Sequence, residues 1–154
     1  MTTKVIGESV KQTNRNFIKS YVEDYANAIT ENYKRYHINT LNRNLHGNYP
    51  EYAREQLDAI ENGTANLMKF KVYSGKKYYK IVQQEFETWE KSKYYGQYRD
   101  GSVHCFVDKE TGDVYKAASW RSPAKHIRFS LQNEAHLRFL LNPDNVDWAG
   151  GYLY

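Results

Sequence analysis

Cysteine and long apolar runs are what this chain of 154 residues has least of. Its single cysteine, Cys105, cannot form a disulfide within the chain, so we expect a reducing compartment. No stretch approaches the roughly 18 consecutive apolar residues of a membrane-spanning helix. The opening segment, MTTKVIGESVKQ, lacks the apolar run of a signal peptide. These absences argue against a membrane partner and predict an intracellular protein.

Tyrosine and basic residues are present in excess. Fifteen tyrosines make up much of the apolar content, and a ring with a polar tip suits half-buried positions and interfaces better than a dry core. The 22 Lys and Arg residues outnumber the 18 Asp and Glu residues, which leaves a net charge of +4. This balance favours anionic partners without by itself identifying a nucleic-acid-binding protein.

The N-terminal third has the apolar periodicity of a helix. Spacings of three, four and seven form one stripe that comprises Val10, Phe17, Ile18, Tyr21, Tyr25, Ala28, Ile29, Tyr33 and Tyr36. We predict a helix over residues 8–36, long enough to serve as an interaction arm or to join two copies of the chain. Residues 39–50 are rich in Asn and predict a loop. A second helix should begin at Pro50 and stop at Gly63.

After this helix the period of the sequence changes to that of strands. Met68, Phe70 and Val72 alternate with polar residues before a turn at Ser74-Gly75, which predicts a hairpin. A second hairpin joins SVHCFVD to DVYKAAS. Ser122-Pro123 has the pattern of a helix start, so we predict a short helix over residues 123–129. NEAHLRFLLNPDN predicts one or two further helical turns, and DWAGGYLY an extended tail.

Together these elements predict an α+β fold. Two N-terminal helices should be followed by an antiparallel sheet of two hairpins with short C-terminal helical pieces. Within one compact domain, we assign residues 1–64 to an N-terminal helical element and residues 65–154 to the α+β core.

The stretch GDVYKAASWRSPAKHIRFSL concentrates basic residues around a tryptophan. A helix N-terminus carries unpaired N–H groups and partial positive charge, so a helix starting at Ser122-Pro123 would favour an anion. Trp120 is suited to stacking on a base, worth about 1–3 kcal/mol in single-strand binders. Alternatively, Trp120 anchors the core and the charges form a solvated edge. The candidate ligand-binding residues are Lys116, Ser119, Trp120, Arg121, Lys125 and Arg128.

The block VHCFVDKETGDVYKAASWRSPAKHIRFSL resembles one found in small uncharacterised proteins of tailed bacteriophages. The likeness runs from Val103 to about Arg128, and AGGYLY is similar to their aromatic-glycine close. Its motif residues are Asp108, Gly112, Asp113, Lys116, Ser119, Trp120, Pro123, Ala124 and Lys125. Phe129-Ser130 stands where those proteins often have a Gly-Asn pair. The resemblance implies a phage accessory protein made in the host bacterial cytoplasm, and it implies no activity.

Metal and nucleophile chemistry has little support in the sequence. His104 and Cys105 are adjacent on a predicted strand and so face opposite sides. The other histidines lack the spacing of zinc ligands, so we expect neither a metal nor a cofactor. Cys105 fits a small core residue better than a nucleophile. A small phosphodiesterase-type hydrolase stays an alternative, and its acid–base candidates are His104, His126, Asp108, Asp113 and Lys116.

We therefore interpret the chain as a non-enzymatic phage accessory protein that binds an anionic ligand. The expected ligand is a nucleic acid or a nucleotide, and capture of a nucleotide signal or of an acidic host protein would counter bacterial defence. Besides the hydrolase, a further alternative is an interaction or virion-associated protein that acts through its N-terminal helix.

Overall fold

The fold is α+β, as the sequence predicts. A computed structural model describes the backbone of residues 3–154 and the side chains of residues 14–154. Along the chain the elements are α1 (Thr3–Asn44), α2 (Pro50–Asn62), β1 (Lys69–Ser74), β2 (Tyr78–Phe86), β3 (Tyr98–Asp108), β4 (Asp113–Lys116), β5 (Phe129–Ser130) and α3 (Glu134–Leu140). A 3-10 turn at Gly151–Leu153 follows α3.

The five strands form one antiparallel sheet in the order β1-β2-β3-β4-β5. Both predicted hairpins are present, as β1–β2 and β3–β4. β3 carries an extra residue opposite Ile81/Val82 and another opposite Val82/Gln84, and such bulges bend a strand. β3 pairs with β4 over only three residue pairs, from Cys105↔Lys116 to Val107↔Val114. Beyond Cys105 the two strands diverge.

Helix α1 packs its apolar stripe against one face of the sheet. Ile18, Tyr25 and Ile29 are each at most 2 % exposed and join the core that includes Ile81 and Cys105. Burying each such side chain contributes about 1.5–3 kcal/mol. Two predicted members of the stripe, Phe17 and Tyr36, are instead about half exposed, and the side chain of Val10 lies outside the described residues.

The first helix is longer at both ends than predicted, and the loop after it is shorter. α1 starts at Thr3 and continues to Asn44, through half of the segment interpreted as a loop, because Leu41 extends the buried stripe and is 2 % exposed. As predicted, α2 begins at Pro50 and stops at Gly63: its last residue is Asn62, and the φ of 75° at Gly63 lets the Gly63 N–H reach the last carbonyls of the helix. No helix in the described part of the chain combines the length and apolarity needed to cross a membrane.

The predicted helix over residues 123–129 is wrong. Pro123 forms an isolated β-bridge with Ala117, and the Ala124 N–H donates to the carbonyl of Lys116 (2.7 Å). Similarly, the Arg128 N–H donates to the carbonyl of Val114 (2.8 Å). The backbone groups that a helix would pair internally are therefore used to extend the sheet beside β4.

The predicted helical turns in NEAHLRFLLNPDN are α3, which is capped by the Asn133 side chain accepting from the His136 N–H. The prediction of an extended tail is wrong. DWAGGYLY folds back into the 3-10 turn, because this buries Leu153 in the apolar core to which α3 also contributes.

Replacing Gly112 by alanine should destabilise the fold more than the same change at Gly96. Both glycines have left-handed φ, +74° and +75°, which costs an alanine about 1–2 kcal/mol. At Gly112 an added Cβ would also lie 3.3 Å from Leu131 Cβ and 3.5 Å from Ile18 Cγ1, whereas at Gly96 it meets nothing within 4 Å. Urea unfolding should therefore show a loss of about 2–4 kcal/mol for Gly112→Ala and about 1–2 kcal/mol for Gly96→Ala. Equal losses would contradict close packing of the β3–β4 turn on α1.

Candidate functional site

A gap opens in the sheet where β3 and β4 diverge. Ser102 and Val103 of β3 lie on one side of a cavity of about 290 Å³, and the turn from Ala117 to Trp120 lies on the other. A second cavity, of about 370 Å³, shares Ser102, Val103 and Ala117 with the first and therefore adjoins it. The two together are here named the split-sheet groove. The second cavity is also lined by Gln83, His104, Lys116, Trp148, Ala149, Gly150, Leu153 and Tyr154.

The turn that carries Trp120 is held in place by Ser119. Its hydroxyl accepts the N–H groups of Arg121 (3.3 Å) and Ser122 (3.1 Å). The Trp120 ring lies under Lys80, whose ammonium is 4.2 Å from the ring centroid and donates to the Trp120 carbonyl (2.9 Å). The residue is still 43 % exposed, so a held aromatic surface is open to a planar ligand.

Lys116 lies in the other half of the groove. Its ammonium is 3.6 Å from the ring centroid of Tyr154. Lys116 pairs with Cys105, which faces α1, so Lys116 also lies on the α1 side of the sheet. Trp120 contacts Lys80, which points away from α1 because its neighbour Ile81 faces α1. Since successive residues of a strand face opposite sides, Lys116 and Trp120 lie on opposite faces of the sheet. The two halves of the groove share the lining residues Ser102, Val103 and Ala117.

Three of the six predicted ligand-binding residues line the groove, with Lys116 in one half and Ser119 and Trp120 in the other. Arg121 and Lys125 are exposed and line neither half of the groove. Arg128 has a structural role: its guanidinium donates to the carbonyls of Leu153 (2.7 Å), Lys125 (2.7 Å) and His126 (2.6 Å). The bond to Leu153 holds the C-terminal turn against the segment that carries Arg128, and the other two bonds lie within that segment.

A chain of buried polar groups begins at His104, which lines the groove. The His104 Nε2 and the Tyr152 hydroxyl are 2.6 Å apart, and the Tyr152 and Tyr25 hydroxyls are 2.5 Å apart. The Cys105 thiol donates to the Tyr25 oxygen over 3.7 Å. Burial lowers the pKa of His104 to about 4, against a smaller opposing effect of Asp147, and raises the pKa of Cys105 to about 12. Both groups are therefore uncharged near neutral pH.

The acid–base candidates of the hydrolase alternative are mostly held apart. His104 and Lys116 line the same cavity, but a general base works best with a pKa near the operating pH, and burial holds His104 well below it. Asp108 accepts two N–H groups of the β3–β4 turn, and Asp113 accepts the Thr111 hydroxyl. Within residues 14–154, no three His, Cys, Asp or Glu side chains are grouped as metal ligands.

Sequence reasoning missed the groove's more distant walls. Trp148 and Tyr154 come from the tail that was predicted to be extended, and Gln83 and Ser102 adjoin the bulges of β3. One local signal indicates that the tail folds back, namely aromatic residues on either side of Gly150-Gly151. Glycine adopts the backbone conformations that a tight reversal requires.

The fold and the groove define an α+β protein with a helix-backed antiparallel sheet that is split at one edge. The chain belongs to the family of unknown function DUF7717, which matches residues 5–154 and so spans every residue of the groove. Neither the curated proteins nor the solved structures gave a match.

Stability should fall as the pH is lowered from 7 to 5, because His104 is buried in its neutral form. The histidine of the unfolded chain titrates near 6.5, whereas the pKa in the folded chain is about 4. The unfolded state therefore binds more protons between these values, and the free energy of unfolding should drop by about 2 kcal/mol from pH 7 to pH 5. Urea unfolding at both pH values measures this drop.

Two variants serve as controls for this measurement. The drop should shrink in His104→Gln, which removes the titrating group, and should persist in His126→Asn, which replaces an exposed histidine at a φ of 72°. An unchanged drop in His104→Gln would show that other groups cause it.

Proposed function

We propose that this protein binds a nucleotide or a nucleic acid, with a base in the split-sheet groove. The observation that carries the proposal is that Trp120 lines one half of the groove while Lys116 and Tyr154 line the adjoining half. The exposed Trp120 ring offers a stacking surface, and the Lys116 ammonium offers a charge for a phosphate. Gln83 and Ser102 add the donors and acceptors that the edge of a base requires.

The size and charge of the groove support such a ligand. Its larger half, at about 370 Å³, falls in the range of about 300–1,000 Å³ that is usual for small-molecule sites. Neither half is lined by an Asp or a Glu. Lys80 and Lys116 instead place a positive charge at each end, so the electrostatic field favours an anion.

The biological setting of the proposal comes from the resemblance of residues 103–128 to small phage proteins. A phage accessory protein that captures a nucleotide signal in the cytoplasm of its bacterial host would counter defence systems that depend on such a signal. The groove supports the binding step of this proposal, and the resemblance alone supports the setting.

Trp120→Ala should weaken nucleotide binding by about 5- to 150-fold, the range that corresponds to about 1–3 kcal/mol of stacking. We would test it with a thermal-shift and anisotropy panel of AMP, dTMP, a cyclic dinucleotide and (dT)2 at low salt. Trp89→Ala is the matched control, because Trp89 is 62 % exposed and lies outside the groove. The proposal predicts a ligand-dependent rise in stability that is lost in Trp120→Ala and kept in Trp89→Ala. No rise with any member of the panel would overturn it.

A further inference from the structure

We infer that the ligand is a single strand of nucleic acid several nucleotides long, whose phosphates continue from the groove into a second, basic cleft. The inference rests on the proposed function of the groove. The second site, here named the turn-end cleft, lies where α1 meets the β1–β2 and β3–β4 turns and encloses about 870 Å³. Its charged lining comprises Arg15, Lys19, Lys76, Lys77, Lys109, Asp108 and Glu110.

The turn-end cleft concentrates positive charge. Five cations and two carboxylates leave three net charges there, out of +4 on the whole chain. Both carboxylates are engaged, Asp108 with the N–H groups of its turn and Glu110 with Arg15 at 2.6 Å. Among the described residues, no ion pair involves the lysines of this cleft. Crowded like charges repel one another, and consecutive phosphates would relieve that repulsion.

The cleft is built to contact phosphates rather than bases. The Lys109 ammonium is held by the Ser74 hydroxyl (2.5 Å) and lies 4.9 Å from the Tyr79 ring centroid. Tyr79 is 8 % exposed, so it supports the cation without offering a stacking surface. The cleft therefore complements the groove, where the open aromatic ring of Trp120 lies.

A row of cations and rings connects the two sites. The Lys77 ammonium lines the cleft and lies 5.3 Å from the Tyr78 ring centroid. Tyr78 and Lys80 are on the sheet face opposite α1, and Lys80 reaches the Trp120 ring. Lys77 directly precedes β2 and is about 10 Å from Lys80 along the chain, at about 3.3 Å per residue of an extended strand. Alternating positive charge and aromatic rings is how proteins hold single strands without sequence preference, over about 4–16 nucleotides.

The length of the ligand separates this inference from the proposed function. We would measure the anisotropy of fluorescein-labelled (dT)2, (dT)6 and (dT)12, and of a 12-base-pair duplex. In the wild type, affinity should rise at least tenfold from (dT)2 to (dT)12, and the duplex should bind more weakly than (dT)12. In the double variant Lys19→Glu, Lys76→Glu this rise should disappear while binding of (dT)2 is kept.

The matched control is Lys91→Glu, Lys93→Glu, which makes the same change of net charge at exposed lysines outside the cleft and should keep most of the rise. Neutral Lys76→Gln checks the result if the double variant does not fold. In this variant the slope of log affinity against log salt should become less negative by about 0.7, the value for one phosphate of a single strand.

Four results would overturn the inference. Affinity that is independent of length, with (dT)2 binding still sensitive to Trp120→Ala, would leave the proposed function standing and exclude the second site. An equal loss in both double variants would show that only the overall charge matters. Tighter binding of the duplex would exclude a single strand. No binding of any oligonucleotide would overturn the inference, and absence of binding across the nucleotide panel as well would overturn the proposed function.

Discussion

The hydroxyl of Tyr25 lies in the middle of the core and requires a hydrogen-bond partner there, and the C-terminal third of the chain supplies it. Tyr25 is fully buried on α1, where an unpaired hydroxyl would cost about 1–3 kcal/mol. Tyr152 pairs with it and with His104, so α1, the C-terminal turn and β3 meet at one point. Within residues 14–154 every fully buried side-chain nitrogen or oxygen has a partner. The core is therefore specified by polar contacts as well as by apolar packing.

The split-sheet groove depends on the same contacts. Its walls come from β2, β3, the turn after β4 and the C-terminal segment, which are far apart in the sequence. Tyr152 and Leu153 are tied down by the hydroxyl pair and by the Arg128 guanidinium, and they hold the neighbouring Tyr154 beside Lys116. Walls held in this way would give the proposed ligand a preorganised site.

Local patterns predicted the elements well, and long-range contacts decided what they missed. The two hairpins and the limits of α2 follow from alternation, turn residues and helix stops, all of which act over a few residues. Ser122-Pro123 has a genuine helix-start pattern, but the bridge from Pro123 to Ala117 and the bonds to β4 outweigh it. The Asn-rich segment after residue 38 stays helical because Leu41 is buried. Of the residues that line the groove, the sequence pattern singles out Lys116, Ser119 and Trp120, whereas Trp148 and Tyr154 reach the groove only through the folded tail.

The burial of Cys105 makes the chain's only thiol a natural reporter of its motions. Thiol reagents attack the thiolate, and a group with no exposed surface and a pKa near 12 offers almost none. Alkylation of Cys105 therefore requires that α1 separate from β3. The alkylation rate under native conditions thus reports how often the core opens. A second cysteine introduced on the surface would, for the same reason, take up a fluorophore selectively without removal of the native one.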